Sequence, residues 1–189
     1  MNAYGAIVSF ICSCSALLGF TPMNAKAGER MLDDFEAKSA ARWSYVADTV
    51  MGGVSDGQAT IQRDSDAAFV RLTGTVSTEN NGGFVQVRRQ VTGGLPAETE
   101  ALRLRVRGNG ETYYVFLRST FGTRPWHSYR ASFVAEPSWR WVDLSIPTFK
   151  PSRGELPASI RPEDVTGIGL VAYGADFEAD LSISAIELR

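Results

Sequence analysis

Histidine and cysteine are scarce in this 189-residue sequence, with one of the first and two of the second. Both cysteines, Cys12 and Cys14, lie inside the uncharged apolar run Ala6 to Phe20. If that segment is removed, disulfides, thiolate catalysis and zinc–thiolate sites are excluded. A single imidazole cannot assemble a transition-metal site either, so no cofactor is expected. A basic face is also missing. Nineteen Lys and Arg stand against 21 Asp and Glu, for a net charge of -2, and the basic residues are scattered. Nucleic acid is therefore excluded as a partner, because it needs clustered cations to displace phosphate counterions. Nor is any apolar run long enough to cross a bilayer as a helix.

The run from Ala6 to Phe20 reads instead as the apolar stretch of a secretory signal peptide. Ala25-Lys26-Ala27 after it supplies a small-x-small site for cleavage before Gly28. The expected organisation is a signal peptide over 1–27 and one domain over 28–189, exported to the periplasm or beyond, with no membrane span in the mature form. No Lys or Arg precedes the run, and a start at Met23 or Met31 would leave the protein cytoplasmic.

What the sequence has in abundance is alternation with a period of two, while helical periodicity is nearly absent. Strands are expected at Phe69 to Val76, Phe84 to Val91, Leu102 to Arg107, Thr112 to Arg118, Ser128 to Val134, Trp139 to Ile146, Thr166 to Tyr173 and Leu181 to Leu188. "MLDDFE" adds a short strand able to pair with the last one, whose pattern slips near Ser184 as at a bulge. Around Gly108-Asn109-Gly110 the sequence reads as a hairpin, with Leu102 opposite Leu117 and Val106 opposite Tyr113. "FKPSRGELPASIRP" is a long surface connection with one helical turn near Pro162. Many short strands joined by Gly- and Pro-rich loops make the fold class all-β, a single antiparallel sandwich of jelly-roll type.

Three stretches could carry chemistry. Gly53-Val54-Ser55-Asp56-Gly57 has the G-x-S-x-G pattern of a serine nucleophile. That motif requires a strand, a sharp turn and a helix, yet no helical pattern follows it. His127 is the only available histidine base, and few suitable carboxylates occur between Ser55 and it, so Ser55 is expected to bond local backbone and catalysis is not expected. Asp33, Asp34 and Glu36 suggest either a calcium site or a solvated strand end. The hairpin would gather Arg103, Arg105, Tyr114, Phe116 and Arg118 on one face, with Trp141, Asp143 and Arg88 nearby. That composition suits a glycan or a protein hot spot, and equally a wetted outer sheet face.

Four stretches occur together in order: "DTVMGGVSDG" after Trp43, "GTVSTENNGGFVQVR", "LRVRGNGETYYVFLR", and a Trp followed by "FKPSRG". In wording and spacing the sequence resembles the complex I intermediate-associated protein 30 family from about Leu32 to Leu188. The resemblance implies a galactose-binding-domain-like jelly roll. Its mitochondrial members are non-catalytic assembly factors that hold an intermediate of respiratory complex I on the matrix side. By position it marks Asp48, Met51, Gly52, Gly53, Ser55, Asn80, Gly82, Gly83, Phe84, Arg107, Gly108, Gly110, Tyr113 and Arg118. Taken together with the Arg–aromatic face and the asparagines of the second glycine-rich stretch, this makes the expected partner or ligand contacts Asp48, Gly52, Gly53, Ser55, Asn80, Asn81, Gly83, Arg103, Arg105, Arg107, Tyr114, Arg118 and Trp141. The expected partner is a protein complex, with a glycan as the alternative for an exported chain.

Overall fold

The computed structural model describes residues 30–189 apart from 37 and 66. The signal-peptide reading and both cysteines lie outside the described residues. Twelve strands follow in order: β1 (Arg30–Asp33), β2 (Ser44–Ala47), β3 (Asp56–Arg63), β4 (Ala68–Val76), β5 (Phe84–Gln90), β6 (Ala101–Gly108), β7 (Thr112–Ser119), β8 (Tyr129–Val134), β9 (Arg140–Ser145), β10 (Lys150–Pro151), β11 (Val165–Tyr173) and β12 (Phe177–Leu188). They form two antiparallel sheets. The first runs β3-β4-β12-β6-β9, with β1 on the end of β12, and the second runs β10-β8-β7-β11-β5-β2. The described residues are mostly β, in line with the alternation, with one short α-helix at Ser39–Arg42.

Several local expectations hold. β1 pairs with the C-terminal strand through Arg30↔Leu188 and Met31↔Glu187. The β12–β6 register shifts between Ile183 and Ala185, at the expected slip. A single 3-10 turn occupies Pro162–Asp164. In β9 Leu144 points inward, while Trp141 and Asp143 point out.

The hairpin at Gly108-Asn109-Gly110 does not exist. β6 pairs with β12 and β9, whereas β7 pairs with β11 and β8. The chain therefore crosses from one sheet to the other at this point. Segment 135–136 takes the place of the expected partner: Gly108 N–H donates to Glu136 O at 2.8 Å and Gly110 N–H to Ala135 O at 2.8 Å. Gly110 holds φ at +88°, a left-handed conformation that suits glycine. Buried Tyr113 ties the crossing down, donating to Asn109 Oδ1 at 2.7 Å and accepting from Asp180 N–H at 2.9 Å. Alternation could not reveal this. Leu102, Leu104 and Val106 meet Val115 and Leu117 in one core whether the two strands are neighbours or face each other across it.

That core also takes Leu156 and Ile160 from the long 149–162 connection, and Tyr129 OH donates to Pro157 O at 2.9 Å. The expected surface loop therefore plugs one end of the sandwich. β2, β3 and β10 were not legible from the sequence. The outer positions of β3 are polar or half-exposed along its whole length, as befits an edge strand.

Candidate functional site

The two glycine-rich stretches "DTVMGGVS" and "TENNGGF" meet at one buried carboxylate. Asp48 opens a 3-10 turn, Asp48–Met51, that follows directly on β2, and its side chain is turned inward. Oδ1 accepts Ser55 N–H at 3.0 Å. Oδ2 accepts the Ser55 hydroxyl at 2.5 Å, Gly83 N–H at 2.5 Å and Phe84 N–H at 3.1 Å. Four donors from two loops thus converge on one side chain. Burial alone would raise its carboxyl, but these hydrogen bonds outweigh that and hold it below the usual carboxylate range.

The surrounding residue types follow from this packing. A Cβ on Gly53 would overlap the Asp48 carboxyl carbon, and one on Gly82 would crowd Oδ2 at 2.5 Å. Glycine is required at both positions to let the backbone close on the carboxylate. Asn80 and Asn81 take φ of 54° and 59°, the left-handed region that asparagine tolerates.

Ser55 is fully buried. Its Oγ also accepts Ser77 N–H at 3.0 Å, from a residue 22 positions away. The backbone it bonds is therefore remote rather than local, and its hydroxyl is committed to Asp48. The side chains of Asp48 and Ser55 shape the loops from inside and do not reach a partner, and Gly83 is likewise interior. Gly52, Asn80 and Asn81 do lie at the surface. The clamp also pushes apolar side chains outward: Val50 is 75% exposed, Met51 58% and Val54 47%. Nine large apolar residues are exposed in the described chain, and three of them fall in this five-residue stretch.

The expected Arg–aromatic face divides in two, because β6 and β7 belong to different sheets. On the first sheet, Arg103 lies over Trp141 at 4.5 Å and near Asp143 at 3.7 Å. Arg105 covers Trp139 at 5.0 Å, and Arg107 sits over Phe69 and Trp139 while pairing with Asp64 at 3.3 Å. These arginines spread their stems and heads over aromatic rings. On the second sheet, Tyr114, Phe116 and Tyr173 pack edge to face at 5.4–6.1 Å. Arg130 caps Phe116 at 4.5 Å and Tyr173 at 4.8 Å. Arg118, on the same outer face, donates to the carbonyls of Pro125 and Arg124. Arg130 and Tyr173 escaped sequence reasoning because only the pairing of β8 and β11 with β7 brings them beside Tyr114.

Asp33 is neither a solvated strand end nor open to a cation. It is buried, and Arg42, Arg89, Trp43, Ser39 and the Phe35 amide occupy both its oxygens. Among the described residues no cluster of three His, Cys, Asp or Glu could hold a metal.

A comparison with curated proteins returns no match. Solved structures share the fold. The family 11 carbohydrate-binding module of the cellulosomal cellulase Lic26A-Cel5E of Clostridium thermocellum has a TM-score of 0.69 at 15% identity, over 85% of this chain and 94% of that one. The family 30 carbohydrate-binding module of the Clostridium thermocellum cellulase Cel9D-Cel44B gives 0.52 at 11% identity, over 70% and 82%. A segment covering 25% of an exo-beta-agarase gives 0.60 at 10% identity, over 85% of this chain. At such identities the likeness is one of fold. The sequence profile of complex I intermediate-associated protein 30 matches residues 33–183, which span the Asp48 clamp and both sheets, and this chain belongs to that family.

Proposed function

We infer that this chain is a non-catalytic protein-binding domain whose contact surface is the turn built on Asp48. One observation carries the reading: a buried four-donor clamp holds Val50, Met51 and Val54 in water. Exposed apolar residues on a fixed backbone lose little conformational entropy on docking, and apolar patches of this kind commonly mark protein contacts. The family takes its name from association with an intermediate of complex I. For this chain the supported statement is the broader one, a scaffold or chaperone for a protein complex.

A double substitution, Val50→Asp with Met51→Asp, should abolish recovery of a stoichiometric crosslinked partner while leaving the melting temperature within about 2 °C, since exposed positions contribute little to stability. Undiminished recovery would place the contact elsewhere. Residues 1–27 support export, so the partner is sought outside the cytoplasm. Intact-mass analysis of the protein from its native host should find Gly28 at the N-terminus. A mass that includes residues 1–27 would rule out cleavage there.

A glycan-binding role is the second reading. It is supported by the outer face of the β10-β8-β7-β11-β5-β2 sheet, where Tyr114, Phe116 and Tyr173 cluster beside arginines, in a fold shared with carbohydrate-binding modules.

A further inference from the structure

The outer face of the second sheet carries charge of one sign only. Its strand pairings bring Arg88 of β5, Arg118 of β7, Arg130 of β8 and Lys150 of β10 to the same side. No carboxylate occupies an outward position on these strands or on β2 and β11. Among the described residues, none of the four cations makes an ion pair. Arg118 and Arg130 are held instead by carbonyls, a hydroxyl and aromatic rings. Asp143 shares a cavity of about 460 Å³ with Tyr114, Arg130 and Lys150 at the β8 edge, but it faces Arg103 at 3.7 Å.

Two of these cations flank the central strand of the face, one on each side. β11 presents Gly167 and Gly169 there, opposite Arg118 and Arg88 respectively. A side chain at Gly167 would press first on the Arg89 carbonyl at 3.2 Å and touch the Arg118 stem at 3.5 Å, and one at Gly169 would meet Gln86 Oε1 at 3.0 Å. Gly169 therefore leaves room for the Gln86 amide beside the central strand, whose two flanking strands are about 10 Å apart. Burial, and after it the neighbouring Arg88 charge, pull the Arg118 guanidinium below its ordinary pKa. The like charge of Arg88 near Arg118 is one that a bound anion would relieve.

The aromatic rings point the same way. A neutral sugar needs an open ring face to stack upon, yet Phe116 and Tyr173 are capped by Arg130 and their edges are taken by one another. The groups left to receive a ligand are cations and amides, with hydroxyls in the β8-edge cavity, whose volume is that of a small-molecule site.

We propose that this face binds an acidic polysaccharide, a chain of sugars bearing carboxylates, with Arg88 and Arg118 gripping one acid group and Arg130 and Lys150 another. This rests on the glycan reading above and names the ligand's chemistry. The test is affinity electrophoresis of the full chain through polygalacturonate, a neutral β-1,3-1,4-glucan and polyglutamate. Polygalacturonate should retard the protein most, with retardation falling as salt rises. Arg88→Glu should weaken it by about tenfold or more, whereas Arg140→Glu, an equal charge reversal at an exposed position of β9 in the other sheet, should not. Arg88 is exposed and its side chain makes no hydrogen bond or ion pair among the described residues, so the variant should fold; Lys150→Glu is the second probe, at the other end. Equal or stronger retardation by the neutral glucan would overturn the acidic chemistry while leaving the glycan reading intact. Equal retardation by polyglutamate would make an acidic protein segment the occupant. No retardation by any polysaccharide would remove both the proposal and the glycan reading. Retardation unchanged in both charge-reversal variants would move the site off this face.

Discussion

Replacing Asp48 by alanine will destabilise the domain by about 4 kcal/mol, a large share of the 5–15 kcal/mol that typically holds a domain together. The variant strands the buried backbone N–H groups of Ser55 and Gly83, the partly buried one of Phe84, and the Ser55 hydroxyl. A buried donor without a partner costs about 1–3 kcal/mol, and hydrogen bonds to a charged acceptor lie toward the upper end. Water entering the vacated space would recover part of that sum. For a domain of this size the loss corresponds to a fall in melting temperature of roughly 8–16 °C. Asp48→Asn should be nearly as damaging, because an amide can offer an acceptor at only one of the two oxygen positions and turns an NH₂ toward an N–H at the other. Asp56→Ala, eight residues on and exposed, provides the control and should change stability by less than about 0.5 kcal/mol. If Asp48→Ala melts within about 3 °C of the wild type, the clamp is not what holds the two loops.

The same clamp explains what the sequence could and could not say about the site. The G-x-S-x-G pattern is visible in the sequence, and the lack of a helical pattern after it argues against a nucleophile. What cannot be seen there is that Gly53 and Gly82 owe their identity to one carboxylate, near in sequence for the first and far for the second. Only the folded structure brings β2, β3 and β5 to the same end of the sandwich. The Arg–aromatic residues show the converse. Alternation places each of them correctly on an outer face, because inward and outward positions follow from period two alone. It cannot say which outer face, since that depends on strand pairing, and pairing across Gly108-Asn109-Gly110 is decided by remote contacts with Ala135, Glu136 and Asp180. Arg103 and Arg105 are thus parted from Tyr114 and Arg118. Fold class rests on local pattern and is legible, whereas the composition of a surface rests on non-local topology and is not.

Acid will expose a second buried hub. Asp33 accepts six hydrogen bonds: from the Phe35 amide, the Ser39 hydroxyl, the Trp43 indole, two Arg42 nitrogens and Arg89. Its side chain is fully buried, with Arg42 at 3.0 Å and Arg89 at 2.7 Å. Burial would raise its carboxyl, but the bonds from Arg42, Phe35, Trp43 and Ser39 prevail and lower it from 3.8 to about 2. A carboxylate depressed in the folded state contributes stability that is complete above its unfolded pKa and fades as pH falls through the folded one. For Asp33 that contribution is about 2 kcal/mol, present above about pH 4 and lost on going down to about pH 2. Asp33→Asn at neutral pH removes the charge and leaves two guanidiniums facing a neutral amide, which should cost about 3–5 kcal/mol. The decisive quantity is the stability difference between wild type and Asp33→Asn, measured by urea unfolding at pH 7 and again near pH 2.5. Other carboxylates held low, Asp48 among them, titrate in both proteins and cancel in that difference. The gap should shrink by about 1–2 kcal/mol on acidification, because the wild-type carboxyl, once protonated, no longer differs in charge from the amide that replaces it. A gap that stays constant across the two pH values would mean that Asp33 carries no more charge-dependent stability folded than unfolded, and the hub would then be held by packing of Phe35 and Trp43 rather than by its carboxylate.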